Sequence, residues 1–220
     1  MIVTIDGPAG SGKSSVAKQL AKRLGFAFLD TGAMYRAVAW NCLQHNLDLT
    51  ESTAIIELAS TQKITFDETG KLFSDGKEIT PEIRSIEVTK AASVVAMIPE
   101  VREQMVIQQR NSGTDCRMVT EGRDQGTVVF PNAPCKFFLT ARLECRAKRR
   151  QQEIEREGET ITLKELCIQL EERDQRDQNR KLAPMKPAAD ATIIDTSEMA
   201  IEEVIALLEK NVRECREFLR

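Results

Sequence analysis

Eight residues near the start constrain this chain more than any others. Gly7-Pro8-Ala9-Gly10-Ser11-Gly12-Lys13-Ser14 fits the pattern G-x-x-x-x-G-K-[ST], the P-loop. Before it, Ile2-Val3-Thr4-Ile5-Asp6 is a short apolar run with β-branched residues, the pattern of a buried strand. After it, from Ser15, apolar residues recur at helical spacing: Val16, Ala17, Leu20, Ala21 and Leu24. Glycines in such a loop let backbone N–H groups close around phosphate oxygens, and the dipole of the following helix favours an anion. The pattern therefore predicts ATP phosphates bound by residues 7–15, Ser15 included. Lys13 would reach the β- and γ-phosphates, and the Ser14 hydroxyl would hold Mg²⁺.

The rest of the chain alternates. Residues 26–30, 117–120, 136–139 and 191–195 read as further strands. Helical patterns cover 33–44, 51–60, 99–110, 141–157, 163–181 and 201–219, and another opens at Thr80-Pro81 with proline at its first position. Asp30 or Thr31 is the expected N-cap of the 33–44 helix. With the first run, five strands alternating with helices predict an α/β fold: a doubly wound parallel sheet of the P-loop NTPase type. Ligands of such a sheet lie at the carboxyl ends of its strands, where the P-loop, Asp30-Thr31-Gly32 and Glu121-Gly122-Arg123-Asp124 all fall. Residues 63–79 break the alternation. Three short strands separated by Thr69-Gly70 and Asp75-Gly76 predict an antiparallel meander, an inserted subdomain over 62–88 within a core of 1–61 and 89–220.

Composition narrows the function. A net charge of −3 argues against a general nucleic-acid-binding surface, so any basic site is local. No apolar run approaches the roughly 20 residues of a membrane span. Six cysteines without a C-x-x-C pair, and no signal peptide pattern, point to free thiols in the cytoplasm. The single histidine, His45, sits in a polar stretch, which excludes histidine triads and His-rich zinc sites. Nothing demands an oligomer, and a monomer is the expectation.

The local basic site has a candidate. Arg142, Arg146, Arg149 and Arg150 follow i, i+4, i+7, i+8, one face of one helix; Arg173, Asp177 and Arg180 do the same on the next. Two helices joined at Gly158 predict a lid over 142–160 that closes over nucleotide and excludes water. A hydrolase must position water, whereas a kinase for a phosphorylated acceptor must exclude it and neutralise a second anion, for which arginine forks are suited.

Several segments together resemble the bacterial-type cytidylate (CMP/dCMP) kinases. They are Ile5-Asp6-Gly7-Pro8 with the P-loop, the run from Leu29 to Arg36, the run from Gly122 to Pro131, Glu172-Arg173-Asp174, and Arg176-Asp177-Gln178-Asn179-Arg180. The resemblance implies transfer of the ATP γ-phosphoryl group to CMP or dCMP, with Mg²⁺. It assigns Arg36, Arg123 and Arg180 to the acceptor phosphate, Ser93, Arg102 and Asp124 to cytosine, and Arg173 and Asp177 to the sugar. Thr31 stands where such families often carry serine, and keeps the hydroxyl for substrate. Lys13, Arg123, Arg146, Arg150 and Arg180 are the residues expected to act in the transfer. Glu121 stands where aspartate is frequent and is read two ways: a carboxylate that orients Arg123, or a water-mediated contact to Mg²⁺. A UMP/CMP or adenylate kinase of the same fold, and a P-loop adaptor that binds ATP without transfer, are the alternatives.

Overall fold

The computed structural model describes residues 1–67, 70–156 and 158–215. The chain divides into two compact units, one of residues 1–28 and 115–220, the other of residues 29–114; the 62–88 segment lies within the second.

The first unit is built on a five-stranded sheet in the order β2-β6-β1-β7-β8. The strands are β1 (Ile2–Asp6), β2 (Ala27–Asp30), β6 (Met118–Gly122), β7 (Cys135–Thr140) and β8 (Thr192–Asp195). β1 runs parallel to both β6 and β7, and β7 parallel to β8. β6 is buried along its whole length. A parallel strand is covered on both faces, so apolar residues fall at successive positions, as in Met118-Val119 and Phe137-Phe138-Leu139, rather than at alternate ones. The helices are α1 (Lys13–Leu24), α6 (Leu143–Arg156), α7 (Leu163–Gln178) and α8 (Ile201–Glu214). Val16 and Leu20 of α1 and Val204 and Leu208 of α8 share a core with Val3, Ile5, Val119, Phe137 and Leu139 of the sheet. Full burial of each large side chain is worth about 1.5–3 kcal/mol, so this layer anchors the strand ends that carry the site. A second, smaller core lies between α6 and α7, from Ala147, Ile154, Leu166 and Leu170.

The second unit begins at the end of β2 and is mainly helical: α2 (Thr31–Gln44), α3 (Ser52–Thr61), α4 (Ile86–Val95) and α5 (Pro99–Ser112). α2 packs on α4 and α3 on α5. The meander is β3 (Ile64–Phe66), β4 (Leu72–Ser74) and β5 (Lys77–Glu78), antiparallel throughout. Asp75 and Gly76 form its second turn with φ of 49° and 85°, the left-handed pair that suits a two-residue hairpin. Thr69, in the first turn, lies outside the described residues. Helix side chains hold the meander: Asn41 Nδ2 and Gln62 Nε2 both donate to Ser74 Oγ, at 2.9 and 3.0 Å, and the Lys77 ammonium sits 4.9 Å from the Trp40 ring centroid.

Several expected boundaries move for physical reasons. No single helix starts at Pro81. A short 3₁₀ turn over Glu82–Arg84 ends where Ser85 turns extended, and Ser85 Oγ then caps α4 by accepting Val88 N–H. α7 stops at Gln178 rather than residue 181, and the Asp177 carbonyl is taken by Met185 N–H at 2.8 Å as the chain doubles back. β6 runs on through Glu121 and Gly122 and is followed by a π-helical turn, Gln125–Val129, that periodicity did not foresee. The expected end of the 141–157 helix at Glu157, and of the last helix beyond Cys215, lie outside the described residues.

Candidate active site

β1 ends at Asp6 and the P-loop departs at once. Gly7 has φ of 147°, and a Cβ there would lie 2.0 Å from the Leu139 carbonyl oxygen, so only glycine fits against β7. Gly12 takes a left-handed conformation as N-cap of α1 and offers no side-chain cap. The first N–H groups of α1 therefore keep their capacity for an anion. Lys13 is buried and donates to the Pro8 carbonyl at 3.0 Å, folding back across the loop. Burial first, and then the facing Arg123 guanidinium, push its ammonium down to about 7. Polyphosphate placed there would act in the opposite direction and favour the charged form.

Ser14 Oγ donates to Glu121 Oε1 at 2.7 Å, which brings the expected metal hydroxyl to the carboxylate at the end of β6. The donor set is hard oxygen, as Mg²⁺ requires. Mg²⁺ is typically held by one or two protein oxygens plus phosphates and water, so one hydroxyl and one carboxylate fit it.

Asp177 organises the arginines. Its Oδ2 accepts from Arg123 Nε at 2.8 Å and its Oδ1 from Arg180 Nη2. Burial alone would raise this carboxyl, but Arg123, Arg180 and Arg173 outweigh it and hold it below the ordinary carboxylate range. The same balance favours the charged form of Arg123: burial works against it, and Asp177 and Glu121 prevail. Two of the three arginines assigned to the acceptor phosphate, Arg123 and Arg180, thus meet at one buried carboxylate, while Arg36 pairs with Asp30. Arg173 lies close enough to act electrostatically on both Lys13 and Asp177.

The four arginines read as one helical face have four different destinations. Arg142 precedes α6 and pairs with Glu198. Arg146 is buried, donating to the Ala9 carbonyl at 3.0 Å and pairing with Asp174. Arg149 reaches the Thr196 hydroxyl at 3.0 Å and the Ser11 carbonyl at 3.4 Å. Arg150 pairs with Glu153 one turn along at 2.8 Å. The single basic face is therefore corrected: Arg142 lies just before α6, neighbours distant in sequence take Arg142, Arg146 and Arg149, and Arg150 pairs within its own helix.

In the second unit, Asp30 caps α2 by accepting Ala33 N–H at 2.8 Å, and its other oxygen accepts Arg36 Nη2 at 3.1 Å. Thr31 is the buried first residue of that helix. Ser93 Oγ donates to the Thr89 carbonyl at 3.3 Å. Arg102 is buried, donates to the Ala96 carbonyl at 3.3 Å, and holds its guanidinium 5.4 Å from the Tyr35 ring centroid. Asp124, in the first unit, is 4% exposed and opens the π turn.

Two acids escaped functional assignment from sequence. Asp6 accepts Gln125 N–H at 2.9 Å and Gly126 N–H at 2.8 Å, one on each carboxylate oxygen, and so grips the turn that follows Arg123 and Asp124. Burial pushes its carboxyl up to about 7 against those two N–H donors. Asp174 accepts from Ala9 N–H of the P-loop. Both lie inside segments that carry the resemblance; the spacing of Asp174 and Asp177, i and i+3 on one helix, was the available signal.

A cytidylate kinase family profile matches residues 3–214. The cytidylate kinase of Desulfitobacterium hafniense is 44% identical over 205 residues, covering 92% of this chain and 88% of that protein. The chain belongs to the cytidylate kinase family. A bifunctional pantoate ligase/cytidylate kinase of a Synechococcus strain is 46% identical over 209 residues; the match covers 92% of this chain but 39% of that protein, so the chain spans about two fifths of it. The shikimate kinase structure from Bacteroides thetaiotaomicron has a TM-score of 0.50 at 12% identity, with 97% of each chain covered, and shares the fold of this family member. Among the described residues no helix is long and apolar enough to cross a membrane.

Proposed function

We propose that this chain transfers the γ-phosphoryl group of ATP to CMP or dCMP, giving ADP and CDP or dCDP. One observation carries the reading beyond family membership. Arg123 and Arg180 are gathered on Asp177 beside the P-loop lysine, a concentration of fixed positive charge that suits a second phosphate as well as the ATP chain.

In the proposed site, residues 7–15 cradle the ATP phosphates. Ser14, and Glu121 through water, would hold Mg²⁺, which when bound neutralises phosphate oxygens. Asp177 holds Arg123 and Arg180 in place for the acceptor phosphate, to which Arg36 is also assigned. Arg173 and Asp177 serve the sugar; Thr31, Ser93, Arg102 and Asp124 serve the nucleoside. The acceptor phosphate has a second pKa near 6 and is already largely ionised at neutral pH, so no general base is required. Catalysis then rests on alignment of the two phosphates and on neutralisation of their charge. The 62–88 segment is proposed as the monophosphate-side insert and 142–160 as the lid that excludes water.

A coupled ADP-release assay with CMP, dCMP, UMP, AMP and GMP in parallel tests the reading. CMP and dCMP should be the best acceptors. Faster turnover of AMP or UMP would reassign the substrate, and nucleotide binding without ADP release on any acceptor would remove the transfer.

A further inference from the structure

Ala9, at the tip of the P-loop, does not belong to the main core. Its methyl group packs with Ala147, Ile154, Leu166 and Leu170, the small core between α6 and α7. Both of its backbone groups are taken by side chains of those same two helices. Its N–H donates to Asp174 Oδ1 at 3.2 Å, and its carbonyl accepts from Arg146 Nη1 at 3.0 Å. Arg146 Nη1 also meets Asp174 Oδ2, which closes a ring of three partners, and Arg146 Nε is fixed by the Ala141 carbonyl at 3.0 Å. The Arg146 and Asp174 side chains are 9% and 10% exposed. Next along the loop, a Cβ on Gly10 would lie 3.0 Å from the Arg146 carbonyl oxygen, so the loop lies directly on the α6 backbone.

A buried ion pair is weak as a source of stability, because desolvation offsets most of the attraction. What this pair does supply is geometry. It fixes both hydrogen-bonding groups of one loop residue, and with them the peptides on either side of Ala9 that present the loop's N–H groups to phosphate. We infer that Asp174 and Arg146 are positioning residues that fasten the P-loop backbone to α6 and α7 at the turns carrying those two side chains, so that cradle and anchor act as one body in nucleotide binding and closure of the proposed lid falls to its part beyond Arg146, toward Gly158. Arg146 then acts through the loop rather than on the transferred group. The inference rests on the ATP role proposed for residues 7–15 and is independent of which monophosphate accepts.

Two variants test it, Asp174→Asn and the double replacement Arg146→Met/Asp174→Leu. The second exchanges the buried pair for apolar side chains of similar size, a change that often leaves stability intact. The probe is the β,γ-methylene analogue of ATP with Mg²⁺, titrated calorimetrically, with CMP titrated separately and thermal unfolding recorded. The expected result is analogue affinity weakened by at least about tenfold at a melting temperature close to the parent's, with CMP affinity within about twofold. Analogue affinity lowered less than about fivefold in a folded variant, or equal losses for analogue and CMP, would overturn the inference. Should neither variant fold, hydrogen exchange in the parent decides. The Ala9 and Gly10 amides should open together with the amides of α7, and independent opening would overturn the tether. A parent that binds the analogue but transfers nothing to CMP would refute the proposed reaction while leaving this test intact.

Discussion

Lys13 and Asp6 sit seven residues apart and show how burial sets chemistry at single positions. Lys13 reaches back over its own loop to Pro8, and its proposed work is on charge that develops during transfer. Lys13→Ala should lower kcat/KM by several kcal/mol, roughly 10³-fold or more, in a protein with the parent's circular dichroism. A folded variant within tenfold of the parent would remove the P-loop assignment. Asp6 makes a pH-dependent prediction. Its carboxyl rises from 3.8 to about 7 on folding, chiefly through burial. Between those values the folded chain keeps a proton that the unfolded chain has released. Its contribution to stability is therefore greatest below about pH 4, falls as pH rises through about 7, and is level above. At about 1.4 kcal/mol per pH unit the full change is on the order of 4 kcal/mol. Asp6→Asn loses one acceptor for the Gln125 and Gly126 N–H groups and should destabilise the fold, by a few kcal/mol less at pH 8 than at pH 4.5. Urea unfolding of parent and variant at both values checks this; equal losses would show that Asp6 does not titrate in that window.

At the scale of elements, the meander is held by polar side chains as well as by burial of Ile64, Leu72 and Ile79. β5 has only two residues, Lys77 and Glu78, and a hairpin this short is marginal alone. Its anchor is the buried Ser74 hydroxyl, which accepts from Asn41 of α2 and from Gln62. Gln62 is held in turn through its carbonyl by Gln108 of α5 at 3.0 Å. Ser74→Ala would leave two amide donors without their acceptor, at about 1–3 kcal/mol each at most. The expected outcome is a lower urea midpoint and faster hydrogen exchange in residues 64–78, with the main sheet's exchange unchanged; parent-like exchange in the meander would show that it is held by other contacts. The π turn at Gln125–Val129 has a similar dependence. Asp6 holds its first N–H groups, and the Thr120 hydroxyl donates to the Gln125 side chain at 2.9 Å. π turns of this kind are frequent at functional sites, where they re-aim a short segment.

At the scale of the whole molecule, the proposed assignment of Ser93, Arg102 and Asp124 to the base makes a prediction about base choice. Cytosine presents an exocyclic amine beside two acceptors. A carboxylate and a guanidinium are the groups that match such an edge, and Asp124 and Arg102, with Ser93 as a third polar group, are the residues proposed for it. Uracil reverses donor and acceptor at two of those positions. Sites built from buried polar groups reject such analogues strongly, so kcat/KM for CMP should exceed that for UMP by at least about 10²-fold. Asp124→Asn should narrow the ratio, chiefly by lowering activity on CMP, because an amide can turn a donor toward the uracil carbonyl. A folded Asp124→Asn protein with the parent's ratio would take Asp124 out of base reading.

The amino-acid sequence determined by itself whatever depends on spacing along the chain. A β-branched run, a glycine-rich turn and an apolar helical repeat within the first 24 residues established the P-loop. The same periodicities established the alternating sheet and the Asp75-Gly76 hairpin, because backbone geometry repeats every two or 3.6 residues whatever surrounds it. Tertiary structure alone decided where charged side chains go. Arg142, Arg146 and Arg149 share a helical spacing in sequence, yet they end on Glu198, on Ala9 and Asp174, and on Thr196 and Ser11. Asp6 looked like the last residue of a strand until Gln125 and Gly126 arrived 119 and 120 residues later to use both its oxygens. A flexible charged side chain has no period of its own. Its partner is set by which backbone and carboxylate groups the packed sheet brings within about 3 Å, a distance at which desolvation makes every unmet group costly.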